Sequence, residues 1–295
     1  MDEPVLLTGA GGRVGQAILR GIGDEYDWRL LDREPIPAAK VPDGVTDADR
    51  YVADITDERA VRNAMDGVGA VIHLAGDPRK TAPWDSVIRN NIDGTQVVMR
   101  AAADAGVRKL AFASSNHAVG GYETDDRTPD MYRTTDEYRL DGTELPRPGN
   151  LYGVSKATGE FLGRFYHDEH GMSVVCVRIG NLTKDHPPRE YERGQAMWLS
   201  HRDCAHLFDR CLQAEYGFEI VYGISDNDRK YYAIDRARDV LGYDPADNSA
   251  DYTFEGVPKQ EIDDGGSDDG GSDDSGSDDS GSDDTGSVDV PTDGA

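Results

Sequence analysis

A tyrosine and a lysine four residues apart, Tyr152 and Lys156, form the pair whose types and spacing could do chemistry most directly. They begin a run of good helix formers, and residues four apart on a helix share one face, so the phenol and the ammonium can point into one pocket. An adjacent cation favours the phenolate and lowers the pKa of the phenol from its ordinary value of about 10. The spacing predicts a general base at Tyr152, although alone it also fits a surface tyrosine beside a solvated lysine.

Hydroxyl and amide side chains upstream of this pair strengthen the interpretation. Ser115 and Asn116 come shortly after an apolar run, residues 109–113, that is typical of a buried strand. We expect the Ser115 hydroxyl to hydrogen-bond the reacting oxygen beside Tyr152, and Asn116 to orient a neighbouring hydroxyl of the substrate. His117 is interpreted as a packing or gating residue rather than a base. A serine hydrolase is disfavoured because the chain has no GxSxG elbow.

A glycine-rich turn lies near the start of the chain, between an apolar run at residues 5–7 and a helical segment at residues 16–20. Strand, glycine turn and helix are the context that a dinucleotide-binding fingerprint requires. The glycines allow a tight turn, let the backbone approach a pyrophosphate and let the helix pack close to the strand, with the helix N-terminus facing the anion. The turn residues assigned to cofactor binding are Gly9, Gly12, Arg13, Val14 and Gly15.

An acidic residue, Asp32, ends the second apolar run, residues 28–31. A carboxylate at the end of the second strand can accept hydrogen bonds from the ribose hydroxyls and repels a 2′-phosphate. The cofactor is therefore predicted to be NAD rather than NADP. Arg33 belongs to the same predicted site, where it can stack on adenine or pair with a phosphate.

The elements that must position these residues alternate between apolar runs and amphipathic segments. Further predicted strands are 51–53, 70–74, 109–113, 173–177 and 219–222, and predicted helices are 57–65, 84–105 and 151–170. The alternation predicts an α/β fold, a Rossmann doubly wound parallel sheet with ligands at the carboxyl ends of its strands. Asn91 is expected either to brace the strand that carries the serines or to cap a helix. The other cofactor-binding candidates are Asp54, Ile55, Leu74, Ala75, Gly76 and Ile179.

Two polar segments are candidates for the substrate site. Residues 121–149 form an excursion between the serines and the tyrosine, which could equally be a plain surface loop. Residues 178–193 are basic within an acidic protein and could clamp an anionic group of the substrate, which arginine binds bidentately. Alternatively, these bases pair with Asp185, Glu190 and Glu192. The candidate substrate residues are Asn116, Asn181, His186, Arg189 and Arg193.

The amino-acid composition limits the kinds of partner that the chain can bind. It has 57 acidic against 31 basic residues among 295, and residues 263–295 hold 12 of the aspartates with no base. Nucleic acid and anionic membranes would be repelled, whereas an acidic surface suits molar salt, where the Debye length is about 3 Å. The three cysteines lack metal-binding spacing and indicate buried thiols in a reducing compartment. Without a signal peptide or membrane-spanning run, the sequence predicts a cytoplasmic protein.

Three regions are expected along the chain. Residues 1–180 form a NAD-binding Rossmann core that carries the tyrosine and lysine pair, and residues 181–261 form a small substrate-binding part with the last sheet elements. From residue 262 the sequence repeats Gly, Ser and Asp with almost no apolar residue, which predicts a disordered, acidic, solubilising tail.

Seven short motifs carry a resemblance to a known family: TGAGGRVG, HLAGDPR, NNIDGT, FASSNHAVG, YGVSK, VRIGN and WLSHRD. Spread over about residues 4–245, they resemble the extended short-chain dehydrogenase/reductase superfamily. Within it the chain resembles the uronate dehydrogenase branch, and above all the NAD-dependent glucose-6-phosphate dehydrogenases of halophilic archaea. The resemblance implies that Tyr152 is the general base, that Lys156 holds the nicotinamide ribose and lowers the pKa of Tyr152, and that Ser115 polarises the reacting hydroxyl.

The reaction implied by the resemblance is hydride transfer from C1 of glucose 6-phosphate to NAD, without a metal, giving 6-phosphoglucono-1,5-lactone. The alternative is oxidation of a uronate to its aldarolactone. Asn181 stands where uronate dehydrogenases have serine, and the segment up to Arg193 is longer and more basic, which favours the phosphate. A short C-terminal part disfavours a sugar-nucleotide epimerase, and the complete set of catalytic side chains disfavours a cofactor-sensing regulator. The superfamily also implies a homodimer formed through helices 84–105 and 151–170.

Overall fold

A parallel sheet is the centre of the computed structural model, which describes residues 3–123, 139–183, 186–189 and 192–253. The strands are β1 (Val5–Thr8), β2 (Trp28–Asp32), β3 (Arg50–Val52), β4 (Ala70–His73), β5 (Lys109–Ser115), β6 (Ser173–Ile179), β7 (Asn181–Leu182), β8 (Trp198–Leu199) and β9 (Phe218–Gly223). The main sheet has seven strands in the order β3-β2-β1-β4-β5-β6-β9, all parallel. The predicted doubly wound Rossmann sheet is confirmed. Its strand order reverses between β1 and β4, where such sheets bind ligands.

Helices cover both faces of this sheet. They are α1 (Arg13–Ile22), α2 (Glu58–Met65), α3 (Trp84–Ser86), α4 (Gly94–Asp104), α5 (Leu151–His170), α6 (Glu192–Ala196), α7 (His201–Gln213) and α8 (Asp235–Leu241). Residues of β1 alternate between the faces, since Val5 and Leu7 join the core under α1 and α7 while Leu6 joins the core under α2 and α4. The apolar runs are thus strands buried on both sides.

The longest helix, α5, has the bounds that its sequence pattern predicts. Asn150 caps its start by accepting a hydrogen bond from the Gly153 amide at 2.8 Å, and Gly171 ends it with φ of +69°. A Cβ on Gly159 would lie 2.2 Å from the Phe112 ring of β5, so the glycine allows helix and strand to approach closely. This close packing holds the middle of α5 against the middle of β5.

Residues 84–104 differ from the single α-helix that was predicted. The segment Val87–Asp93 between α3 and α4 is π-helical, so the helix contains a wider turn. The seven predicted strands are the seven strands of the main sheet, and their observed ends differ by up to two residues. The short strands β7 and β8, which pair with each other, were not predicted. The described part of residues 181–261 does not form a separate layer, because α7 packs on α1 and β9 extends the main sheet.

The interior contains all three cysteines, Cys176, Cys204 and Cys211, as the sequence predicts. Burial raises the pKa of each thiol above its ordinary value. Among the helices of the described ranges, none is long and apolar enough to cross a membrane. The predicted tail at 262–295, residues 124–138 of the excursion, and Asp185 and Glu190 of the basic run lie outside the described residues.

Candidate active site

The structure brings Tyr152, Lys156 and Ser115 together at the carboxyl end of the sheet. Tyr152 and Lys156 lie on the first turns of α5, and Ser115 is the last residue of β5. The Ser115 hydroxyl is close enough to the Tyr152 phenol to lower its pKa, and Lys156 Nζ lies 5.5 Å from the Tyr152 ring centroid and 5.1 Å from that of Phe112. An alcohol placed between the two hydroxyls could transfer its proton to the phenolate form of Tyr152.

The ionisation of this pair differs from the prediction. Withdrawal of the phenol from solvent raises the pKa of Tyr152 to about 12, and the nearby Ser115 hydroxyl offsets this rise only in part. Burial also lowers the pKa of Lys156 to about 8. The predicted net decrease in the Tyr152 pKa is therefore not found in the chain itself, because a poorly hydrated pocket penalises both charged forms.

His117 packs beside the catalytic tyrosine. The rings of His117 and Tyr152 meet edge to face with centroids 5.8 Å apart, and His117 Nδ1 lies 3.2 Å from the side-chain amide of Asn150. Burial, followed by the positive charges of Arg193 and Lys80, lowers the pKa of His117 to about 4. The imidazole is therefore neutral at pH 7, which fits the packing role better than the role of a base.

Asn91 lies in the π-helical segment and joins the loop after β4 to helix α5. Its Oδ1 accepts from the Asp77 amide at 2.6 Å, and its Nδ2 donates to the Asp77 carbonyl and to Ser155 Oγ, each at 3.0 Å. Ser155 Oγ in turn donates to the Tyr152 carbonyl at 2.7 Å. Both predicted roles of Asn91, bracing β5 and capping a helix, need correction, because the wider turn directs the amide to the loop after β4 and to α5 instead.

The glycine turn after β1 has the geometry that a dinucleotide needs. Gly9 has φ of +70°, and a Cβ there would lie 2.8 Å from the Ala75 amide nitrogen. A Cβ on Gly15 would lie 2.7 Å from the Ala10 carbonyl oxygen, so only glycine lets α1 pack this close to the turn. Gly12 precedes α1 without any side-chain cap, which leaves the first amides of the helix available to an anion. These residues fit a bound pyrophosphate.

The residues predicted around the adenosine half lie along the neighbouring strand ends. Asp32 Oδ2 accepts from the Gly11 amide at 2.8 Å, so the carboxylate stands at the edge of the glycine turn. Arg33 is exposed and lies 3.8 Å from a glutamate beside it in sequence. Asp54 accepts hydrogen bonds from the threonine two residues later, and Ile55 is buried. This edge presents acidic groups at the end of β2 and after β3.

The remaining cofactor candidates lie between the glycine turn and the tyrosine. Arg13 Nη1 donates to the main-chain carbonyl of Leu182 in β7 at 3.1 Å. This bond joins the glycine turn to residues 178–193, the basic segment predicted to bind the substrate. A Cβ on Gly76 would lie 3.9 Å from Lys156 Nζ. Ile179 ends β6 directly opposite the last residue of β5. Two other candidates pack against the core on the α1 side, namely Val14 and Leu74.

Asn116 and Arg193 are the predicted substrate residues that lie near the catalytic serine. The Asn116 side-chain amide forms hydrogen bonds with its neighbours when its nitrogen faces Ser115 Oγ at 3.2 Å and its oxygen accepts from Arg193 Nη2 at 3.1 Å. His186 and Arg189 are exposed on the segment before α6. Asn181 lies half-buried in β7 and donates its main-chain N–H to the carbonyl of Met197 at 2.8 Å.

Arg193 is held by an acidic residue that the sequence analysis missed. Glu123, from the excursion before α5, accepts from Arg193 Nε and, at 2.7 Å, from Arg193 Nη2. The hydroxyls of Tyr231 and Tyr232 donate to Glu123 Oε1 at 2.9 Å and 2.6 Å. The predicted partners of the basic run are acids inside that run, whereas the acid that binds Arg193 is distant in sequence. No local signal links these four residues.

Comparison with known proteins places this chain in a family. Residues 5–213, which hold the glycine turn and all three catalytic candidates, match the NAD dependent epimerase/dehydratase family. The chain belongs to this family. This chain is 76% identical over 261 residues to an NAD-dependent glucose-6-phosphate dehydrogenase of Haloferax volcanii. The match covers 88% of this chain and 100% of that protein.

Two further proteins are similar to this chain at lower identity. A uronate dehydrogenase of Pseudomonas putida is 34% identical over 266 residues, which covers 88% of this chain and 91% of that protein. A solved structure of a mutant uronate dehydrogenase from Agrobacterium tumefaciens, complexed with NAD, has a TM-score of 0.71 and 29% identity, covering 84% of this chain and 86% of that one. The same fold therefore holds NAD in a relative.

Proposed function

We propose that this protein oxidises glucose 6-phosphate at C1, with NAD as the acceptor. The observation that carries the proposal is the 76% identity to a relative named for that reaction, which this chain matches over the relative's whole length. The proximity of Ser115, Tyr152 and Lys156 at the carboxyl end of the sheet supports this proposal. The product is 6-phosphoglucono-1,5-lactone.

The proposed chemistry divides between the chain and its cofactor. Tyr152, as phenolate, accepts the proton of the C1 hydroxyl, and Ser115 donates a hydrogen bond to the same oxygen as it becomes a carbonyl. NAD, when bound, supplies the acceptor for the hydride from C1. Since the pKa of Tyr152 is about 12 in the chain itself, the adjacent Lys156 ammonium must favour the phenolate once the site is loaded. The C1–H and O–H bonds break, and the C1=O bond forms.

The assay that tests this function compares glucose 6-phosphate with glucuronate in high KCl, by formation of NADH. We expect turnover of the phosphate and little of the uronate. Turnover of glucuronate alone would favour uronate dehydrogenation, for which the 34% identical relative is the precedent. Turnover of neither sugar would contradict both assignments.

Asp32 is expected to set the choice between NAD and NADP. Its carboxylate accepts from the Gly11 amide at 2.8 Å, beside the place where the adenosine ribose of a bound dinucleotide would lie. We expect Asp32→Ala to raise the ratio of kcat/KM for NADP to that for NAD by about tenfold or more, because repulsion of the 2′-phosphate is removed. Glu34→Ala is the matched control, since Glu34 is an exposed acid two residues away. An equal gain in both variants would contradict the assignment.

A homodimer and a cytoplasmic location complete the proposal. On α5, Phe161 is 63% exposed and Phe165 is 52% exposed, which supports a partner against that helix. Light scattering in high KCl should then give a particle of twice the 32.2 kDa chain mass. The acidic composition and the buried thiols support a salty, reducing compartment.

A further inference from the structure

A buried carboxylate lies on the substrate side of the site and takes no part in the proposed chemistry. The side chains of Glu123 and Arg193 are only 10% and 13% exposed. Burial favours protonation of Glu123, but Arg193 and the hydroxyls of Tyr232 and Tyr231 outweigh it and hold the pKa of Glu123 below its usual range. Glu123 is thus an anion at neutral pH, and it compensates the charge of Arg193.

This ion pair is close to the reacting centre. Asn116, which is 2% exposed, faces Ser115 Oγ with its amide nitrogen and Arg193 Nη2 with its oxygen. Arg193 is therefore one side chain removed from the serine that would hold the C1 oxygen. The field of Arg193, opposed by that of Glu123, also reaches His117 against the Tyr152 ring. A charged group carried by the sugar ring near C1 would therefore lie close to the Glu123–Arg193 ion pair.

We propose that Glu123 determines substrate specificity by excluding hexoses that carry a carboxylate directly on the ring, while admitting hexose 6-phosphates. The inference rests on the proposed function and names the substrate class of the same site. In a uronate the carboxylate carbon is bonded directly to C5, which neighbours the ring oxygen that is also bonded to C1. The phosphate of a 6-phosphate is held away from the ring by C6 and O6, so its charge can remain farther from Glu123.

Two physical effects make such exclusion strong. Arg193 is already paired with Glu123, so it attracts the carboxylate of a uronate only weakly, and the negative charge of Glu123 repels that carboxylate. Together these effects lower the affinity for a uronate several-fold to many-fold. Molar salt screens exposed charges within about 3 Å but screens a buried pair much less. The exclusion therefore persists in high salt. Lys80 is exposed, and its charge also acts on His117. Its side chain can remain paired with a substrate phosphate that extends into solvent.

The test is Glu123→Gln, assayed in high KCl with glucuronate and with glucose 6-phosphate. Glutamine keeps an oxygen for the tyrosine hydroxyls but removes the charge, so we expect kcat/KM for glucuronate, relative to that for the phosphate, to rise about tenfold or more. Glu144→Gln is the matched control. Glu144 is 12% exposed and its Oε1 likewise accepts from an arginine, Arg178, and from the Tyr222 hydroxyl, outside the site. We expect the control to leave the ratio unchanged.

Each outcome separates this inference from the proposed function. An unchanged ratio in Glu123→Gln, with the parent active on glucose 6-phosphate, overturns the role of Glu123 alone. A parent inactive on the phosphate overturns the proposed function, and Glu123 is then judged by kcat/KM for glucuronate itself, which must rise in Glu123→Gln.

A second measurement needs no variant and serves if Glu123→Gln does not fold. Glucuronate and neutral glucose are compared as competitive inhibitors of glucose 6-phosphate oxidation by the parent protein. We expect glucuronate to bind at least about tenfold more weakly than glucose. Tighter binding of glucuronate than of glucose would overturn the inference.

Discussion

Tyr152→Phe is expected to lower kcat for sugar oxidation by about 10³-fold or more, because the group that accepts the hydroxyl proton is removed. Phenylalanine keeps the ring that packs edge to face against His117, so the pocket should keep its shape. Binding of NADH, followed by its fluorescence, and the Tm in high KCl should stay close to those of the parent protein. Loss of turnover with both kept would locate the defect in the chemical step.

The matched control is Tyr166→Phe on the same helix. Tyr166 is 5% exposed and its hydroxyl lies 3.4 Å from the Gln96 amide, away from the catalytic turn. This variant makes the same chemical change and should retain activity near that of the parent. If Tyr152→Phe also stayed active, the proton acceptor would have to be another group, and the proposed mechanism would be wrong.

Glu160→Gln is expected to lower the free energy of unfolding by about 3 kcal/mol. Arg178 of β6 is fully buried and binds Glu160 of α5 through Nε at 2.8 Å and through Nη2 at 2.9 Å. Ser114 Oγ donates to the same carboxylate at 2.6 Å. A glutamine amide nitrogen would face an N–H of Arg178 in either orientation, and the buried guanidinium would lose a full counter-charge. Urea unfolding in high KCl, followed by circular dichroism, measures the difference.

An ion pair with an exposed carboxylate supplies the control for this variant. Glu215 is 88% exposed and pairs with Lys109 at 2.9 Å. Glu215→Gln should unfold at the same urea concentration as the parent, because the solvated carboxylate contributes little and is screened by salt, and Lys109 keeps its main-chain carbonyl partners. Equal midpoints for Glu160→Gln and the parent would show that the buried network adds no net stability.

Local patterns predicted the fold because the decisive signals lie inside each element. Helix α5 has its predicted bounds, since Asn150 and Gly171 stop it at either end. Strand β5 extends two residues beyond its apolar run to include Ser114 and Ser115, because sheet pairing with β6 continues through polar side chains. The apolar pattern alone ends where burial by aliphatic residues ends, not where the ladder of hydrogen bonds ends.

The site was less predictable because its deciding contacts join distant parts of the chain. The glycine turn and the tyrosine–lysine pair are local, and their spacing was informative. Glu123 meets Arg193, Tyr231 and Tyr232 only through the folded topology. The π-helical turn around Asn91 likewise depends on tertiary contacts, and its sequence resembles that of an ordinary helix. The Tyr152 pKa depends on the dryness of the pocket, which spacing does not encode.

The reactivity of the buried cysteines can be used to measure how the stability of this protein depends on salt. Cys176 lies on β6, and Cys204 and Cys211 lie on α7, all inaccessible and with raised thiol pKa. A thiol-modifying reagent can therefore react only with molecules whose interior has opened. Because the chain carries a net charge of −26, withdrawal of KCl strengthens its self-repulsion. The labelling rate along a KCl titration would then measure how many ions the folded state requires.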